Sequence, residues 1–284
     1  MSARLLDGRE LASRLRSELG HRVQALAAGG EAPILAILRD GAREEATLYA
    51  ASLERAARAV GVTAELIVGD AVRLASQIVR LNEEPRVAGI VVAQPFADAA
   101  EGRRLVELID PDRDVDGASP TSAGRLARGE PAFVPATALA VIALMEDYGV
   151  PVAGKRAVIV GRSAVVGRPV ASLLLARDAT VVVCHRATRD LAAETRRAEL
   201  LVVAAGSPRL ISADMVDPSA IVIDCGINSI DGVIAGDVAF EEVASIVQAI
   251  SPVPGGVGPV TPMMVLRQTV EAAERARRKQ SSAR

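Results

Sequence analysis

Two stretches carry side chains of the types that do chemistry. The first is LYAASLERAARAVG, residues 48–61, where Tyr49, Leu53, Ala56/Ala57 and Val60 recur at i, i+4, i+7/8 and i+11. That spacing places them on one face of a helix. A tyrosine on such a face either packs into a core or offers its phenol to a substrate. The second is VIVGRSAVVGRP, residues 158–169, a β-branched run followed by a glycine-bounded loop. Gly161 permits a tight turn, Gly167 permits close backbone approach at a helix start, and Pro169 suits a first helical turn. Free N–H groups at such a helix end can hold a pyrophosphate. The next strand ends in Cys184-His185-Arg186, with no acid to grip a ribose hydroxyl. Arg162 and Arg186 suit a 2′-phosphate instead, which points to NADP rather than NAD. The alternative is that both arginines only face solvent. Ser163 can cap the helix, bind phosphate, or do both.

The elements that must position these residues follow from the hydrophobic pattern. A helix is expected near Gly8–Leu26, then the strand APILAILRD, the Tyr49 helix, TAELIVG, a helix near Ala71–Leu81 and VAGIVVAQP. Strands separated by helical runs of this length imply βαβ crossovers and a mostly parallel sheet. DPDRDVDGASPTSAGRLARGEP reads as a long turn-rich segment, and ATALAVIALMEDYGV as a long helix. A second sheet follows: RAVIVG, helix Pro169–Ala176, TVVVCH, helix Leu191–Arg197, ELLVVAAG and AIVIDCG. The turn SPVPGGVGPVTP then precedes a last helix, Met263–Arg277.

Bulk composition narrows the class. The 284 residues carry a net charge of -2, with 50% apolar and 24% charged side chains, as in ordinary soluble domains. Two tyrosines, three phenylalanines and no tryptophan argue against a nucleic-acid surface of stacked aromatics. No apolar run approaches the ~18 residues of a membrane span, and the N-terminus has no signal-peptide core. Cys184 and Cys225 lie in apolar strand-like runs and read as buried free thiols of a reducing cytoplasm. With 2 His and 2 Cys there is no recognisable metal spacing.

The motifs together resemble the bifunctional methylenetetrahydrofolate dehydrogenase/cyclohydrolases over nearly the whole chain. They are LYAAS at 48–52, PDRDVDG at 111–117, VGRSAVVGRP at 160–169, IDCGIN at 223–228, GDV at 236–238 and PVPGGVGPVTP at 252–262. The resemblance implies a two-domain α/β protein: an N-terminal α/β folate-binding catalytic domain, residues 1–137 with 263–284, and a Rossmann-type NADP-binding domain, residues 138–262. The C-terminal helix would return to the first domain. It also implies a cytoplasmic homodimer with tetrahydrofolate as co-substrate and no nucleic-acid or membrane partner. Tyr49 then corresponds to a tyrosine that stacks near the folate, and Asp116 to an acid that pairs with the pterin ring. Ser52, Gln94, Pro95, Gly255, Gly256 and Pro259 fall along the implied folate site. Gly161, Arg162, Ser163, Val166, Gly167, His185, Arg186, Ala205, Gly206, Ile227 and Gly255 fall along the implied cofactor site.

The sequence departs from the family pattern at the chemistry. The family motif Y-x-x-x-K reads Y-A-A-S-L here, so Leu53 stands at the lysine position. The family's V-Q-L-P reads V-A-Q-P, so Ala93 stands in the glutamine slot with Gln94 one place late, facing the other way if the strand is regular. P-C-T-P reads PATA at 135–138. Neither Leu53 nor Ala93 can move a proton, so hydrolysis of a methenylfolate is expected to be weak or lost. Hydride transfer to NADP, which depends mainly on positioning, is expected to survive. The alternatives are a site that passes the methylene carbon to another acceptor, and a non-catalytic partner that binds folate and NADP.

Overall fold

The computed structural model describes residues 3–28, 30, 32–230 and 232–282. In chain order it opens with a short strand, β1 (Arg4–Leu5), and a long helix, α1 (Gly8–Ala28). Then come β2 (Ile34–Arg39), α2 (Glu44–Val60), β3 (Thr63–Val68), α3 (Ala71–Glu83), β4 (Val87–Val92), α4 (Ala99–Glu107), α5 (Pro120–Ala127) and α6 (Ala136–Asp147). The second half runs β5 (Arg156–Val160), α7 (Gly167–Leu175), β6 (Thr180–Cys184), α8 (Leu191–Thr195), β7 (Leu200–Val203) and β8 (Ile221–Asp224). A hairpin of β9 (Asn228–Ile230) and β10 (Val233–Ala235), then α9 (Phe240–Ala244), β11 (Ala249–Ile250) and α10 (Val257–Ser282), complete it.

The chain forms two compact units. One comprises Ser13–Arg125, Glu130–Val134 and Pro262–Arg284, and is built on a parallel sheet of order β3-β2-β4. The path from β2 to β3 runs one way across this sheet and the path from β3 to β4 runs back. Right-handed crossovers therefore place α2 and α3 on opposite faces. Ala36 and Leu38 of β2 accordingly pack with Leu74, Ile78 and Leu81 of α3 and with Leu105 and Val106 of α4. Leu35 and Ile37, alternating with them, face the α2 side and are also fully buried. Helix α2 buries Ala46, Ala50, Leu53, Ala57 and Val60, a stripe at helical spacing, and stops at Gly61 in the left-handed conformation (φ 86°). Asp70 caps α3 by accepting from the Arg73 amide.

The other unit comprises Met1–Ala12, Leu126–Gly129 and Pro135–Thr261, around a parallel sheet of order β1-β11-β8-β7-β5-β6. Its central strands β5, β7 and β8 are buried and almost wholly apolar, as strands covered on both faces require. Residues 1–12 group with this unit, whereas the family resemblance implies residues 1–137 for the first. The cause is the pairing of Arg4 with Ala249 and Leu5 with Ile250, a contact no local pattern announces.

Other differences are local. The segment expected to be all turn contains α5, started by Pro120 and by Ser119, whose hydroxyl accepts from the Ser122 amide. Helix α10 starts at Val257 rather than Met263. Pro259 lies in its first turn, where a missing N–H costs nothing. Cys184 and Cys225 are free thiols, both held protonated, chiefly by burial. Among the described residues no helix is long and apolar enough to cross a membrane.

Candidate active site

In the first unit the candidate face is that of α2. Tyr49 is half-buried, one turn before the fully buried Leu53. Its hydroxyl donates to the carboxylate of Asp116. The phenol is raised well above its ordinary pKa of 10, first by desolvation, then by the Asp116 charge and hydrogen bond. Tyr49 is thus a donor at neutral pH and not a base.

Asp116 is held by the chain on either side of it. Buried Asp114 accepts from the amides of Ala118 (3.0 Å) and Ser119 (2.9 Å) and from the Ser122 hydroxyl (2.6 Å). Gly117 is left-handed (φ 58°), and a Cβ there would overlap the backbone of Val134. Gln268 of α10 donates to the carbonyls of Val115 (2.7 Å) and Val134 (2.9 Å) and accepts from the Val134 amide (2.9 Å). Sequence reasoning missed Asp114 and Gln268. The available signal was a lone glutamine on an otherwise apolar helix face.

Leu53 and Ala93 are both 0% exposed. Ala93 continues the β4 ladder, its amide donating to the Leu38 carbonyl at 2.8 Å. Ile90 and Val92 pack with α3 and α4, so Ala93 takes the α2 side by alternation. Gln94 goes the other way: a Cβ on Gly102 of α4 would come within 2.8 Å of its carboxamide. Gln94 and Pro95 are exposed, joined by a cis peptide, and Ser52 is half-buried. Gln94 therefore does not stand beside Leu53.

In the second unit, Gly161 follows β5 with φ 125°, and its amide donates to the Cys184 carbonyl at 2.9 Å. A Cβ there would overlap the Ala204 carbonyl, and one on Gly167 would overlap that of Gly161, so the loop is a cradle only glycine can line. The Ser163 hydroxyl accepts from the Val166 amide at 3.1 Å and shapes the entry to α7. Arg162, Ser163 and Arg186 are exposed, and neither arginine has an acidic partner among the described residues. His185 is committed to its own turn, its Nδ1 accepting from the Ala187 amide at 3.2 Å. A glycine cradle, a helix N-terminus and two unpaired guanidinium groups fit a dinucleotide that bears an extra phosphate.

The loop after β7 is tied down by Asp237, which follows β10 and to which the sequence, beyond the GDV motif, assigns no role. Buried Asp237 accepts from the amides of Ala205 (2.6 Å), Gly206 (2.9 Å) and Ser207 (2.9 Å), and from the Asn228 side chain (2.8 Å). The amides of Ala205 and Gly206 are thus taken by protein. Asp224 accepts from the amides of Gly226, Asp237 and Val238, yet burial raises its pKa to about 6. Ile227 is 73% exposed beside the hairpin. In the Pro252–Pro262 turn, Gly255 is left-handed (φ 118°) and its carbonyl accepts from the Gly8 amide at 2.8 Å, while the Gly256 amide donates to the Pro252 carbonyl at 2.7 Å. Among the described residues no cluster of His, Cys, Asp or Glu is placed to hold a metal.

Residues 6–116 match the catalytic domain of tetrahydrofolate dehydrogenase/cyclohydrolase, and residues 135–277 match its NAD(P)-binding domain. The bifunctional protein FolD of a Parafrankia species is 45% identical over 272 residues, covering 95% of this chain and 99% of its own. The crystal structure of the bifunctional methylenetetrahydrofolate dehydrogenase/cyclohydrolase FolD from Campylobacter jejuni superposes with a TM-score of 0.93 at 39% identity, covering 96% of this chain and 99% of that one. The Trypanosoma brucei enzyme, solved with NADP cofactor and an inhibitor, gives 0.92 at 34% identity, covering 98% and 99%.

Proposed function

The chain belongs to the tetrahydrofolate dehydrogenase/cyclohydrolase family, and on that premise we propose that it oxidises 5,10-methylenetetrahydrofolate with NADP while hydrolysing the methenyl product weakly or not at all. The carrying observation is the contrast on α2. Tyr49 still pairs with Asp116, whereas Leu53 and Ala93 present buried apolar surface where the family pattern has proton-handling groups.

The two reactions differ in what they ask of the protein. Oxidation removes a hydride from the methylene carbon, and the neighbouring nitrogen lone pair supports the resulting cation, so no proton has to leave. When bound at the glycine cradle, NADP would supply the hydride acceptor. Asp116 would pair with the N–H donors of the pterin, Tyr49 would wall the ring, and Arg162 and Arg186 would hold the 2′-phosphate. Hydrolysis instead requires a water that loses its proton as it attacks, and neither Leu53 nor Ala93 can take it. Tyr49, with its phenol held protonated, is no substitute base.

Absorbance assays decide the matter. Methylenetetrahydrofolate with NADP should give NADPH and a methenyl product that persists. No NADPH sinks the dehydrogenase reading, and rapid decay of supplied methenyltetrahydrofolate sinks the claim about Leu53. The dry wall at Leu53 and Ala93 also supports a second reading, transfer of the methylene carbon to an organic acceptor. Methylene folate consumed without NADPH, and only with an added nucleophile, would favour it. Family resemblance supports a cytoplasmic homodimer, which light scattering on the purified protein tests as to mass.

A further inference from the structure

Strand β2, whose interior is buried on both faces, ends in a cation, Arg39. Ala36 and Leu38 point into the cluster with α3 and α4, so alternation sends Leu35, Ile37 and Arg39 to the side that α2 covers. Ala93 takes that side from β4, and Leu53 is buried on α2. Arg39 thus shares the α2 side of the sheet with the two apolar residues on which the proposed chemistry turns, at the C-terminal ends of the strands.

The guanidinium is only partly satisfied there. One Nη donates to the Asp40 carbonyl at 3.0 Å, but Nε is buried without any acceptor. No carboxylate pairs with Arg39 among the described residues. A guanidinium that no carboxylate neutralises keeps its charge and its planar fork available to an acceptor, and Arg39 is only half-buried. The surroundings are fixed: Asp40 accepts from the amides of Ala42 (3.1 Å) and Ala97 (2.7 Å), tying the loop after β2 to the turn after Pro95.

We propose that Arg39 is a substrate-binding residue whose half-buried guanidinium, without a carboxylate partner among the described residues, takes an acceptor oxygen of the folate, a pterin carbonyl or a glutamate carboxylate. This rests on the folate reading of the α2 face. The planar fork suits such an oxygen, and the charge is permanent. For the same reason Arg39 accepts no proton at neutral pH and does not restore hydrolysis.

Calorimetry with tetrahydrofolate alone, without NADP, tests the assignment on the wild type, Arg39→Met and Arg39→Lys. Arg39→Met should weaken tetrahydrofolate binding about 10-fold or more, with NADP affinity unchanged, and Arg39→Lys should recover only part because it lacks the fork. Repeating the titration with 6-methyltetrahydropterin identifies the oxygen. Loss on both ligands assigns the pterin carbonyl, and loss on the full folate alone assigns the glutamate. Wild-type tetrahydrofolate affinity in a folded Arg39→Met protein overturns the inference, as does an equal loss of NADP affinity or the absence of tetrahydrofolate binding in the wild type. A wild type that binds tetrahydrofolate but forms no NADPH overturns the proposed reaction alone, and weaker binding by Arg39→Met would still uphold the role of Arg39.

Discussion

The Tyr49 hydroxyl donates to the Asp116 carboxylate, joining α2 to the loop that precedes α5. Tyr49→Phe keeps the ring and removes the donor. It should lower kcat/KM for methylenetetrahydrofolate about 10-fold, the scale of one hydrogen bond to a charged group, with little change in melting temperature. Asp116→Asn should cost more, because it also removes the charge that would pair with the pterin. Steady-state NADPH formation measures both.

Restoring the missing pair separates stability from chemistry. Leu53 is fully buried, so Leu53→Lys alone should lower the melting temperature by placing an ammonium in apolar surroundings. Leu53→Lys with Ala93→Gln supplies a partner and should raise methenyltetrahydrofolate hydrolysis by about 10²-fold or more over the wild type. The decay of methenyl absorbance reads it directly.

Arg162 and Arg186 are exposed and have no acidic partner among the described residues, so removing either should leave the fold intact. Each alanine substitution should raise KM for NADP about 10-fold and leave KM for NAD nearly unchanged. Equal effects on both cofactors would remove the 2′-phosphate assignment.

Asp237 organises the loop after β7 by accepting from three consecutive backbone amides. Asp237→Ala strands those donors and should cost several kcal/mol of stability, at about 1–3 kcal/mol for each buried donor left unmade. Asp237→Asn, retaining one acceptor oxygen, should fold yet bind NADP more weakly than the wild type. Thermal melts and NADP titration distinguish the two effects.

Asp224 provides a pH signature. Burial raises its carboxyl from 3.8 to about 6 in the folded protein, so the native state takes up this proton before the unfolded chain does. The associated stability is fully present below about pH 4 and is lost as pH rises through about 6. The Asp224 carboxyl resonance should titrate near pH 6, and the stability difference between the wild type and Asp224→Asn should change between pH 4 and 6. A titration near 4 would contradict it.

Periodicity alone locates α2, α3 and the strands β2 to β8, because the helices bury a stripe of their own and the strands are β-branched or apolar runs bounded by turn residues. The glycine cradle and the loss at Leu53 are equally local. What stayed hidden depends on partners remote in the chain. β1 is two residues long and exists only through Ala249 and Ile250. Asp237 reads as an ordinary turn acid until residues 205–207 fold over it. Arg39 reads as the polar end of a strand, and only strand alternation, which turns it to the α2 side, marks it. Helix α4 has just two large buried apolar side chains, Leu105 and Val106, too few for a periodic signal.

The Gln268 amide, which fastens Val115 and Val134, also fixes a moment in the life of the chain. The sheet β3-β2-β4 and both members of the Tyr49–Asp116 pair leave the ribosome early, but the clamp beside Asp116 is synthesised some 150 residues later. A nascent chain can thus bury most of the first sheet while Asp116, the acid proposed to pair with the pterin, is still loosely held. Competence to bind folate should switch on late in synthesis and abruptly, once residue 268 has emerged.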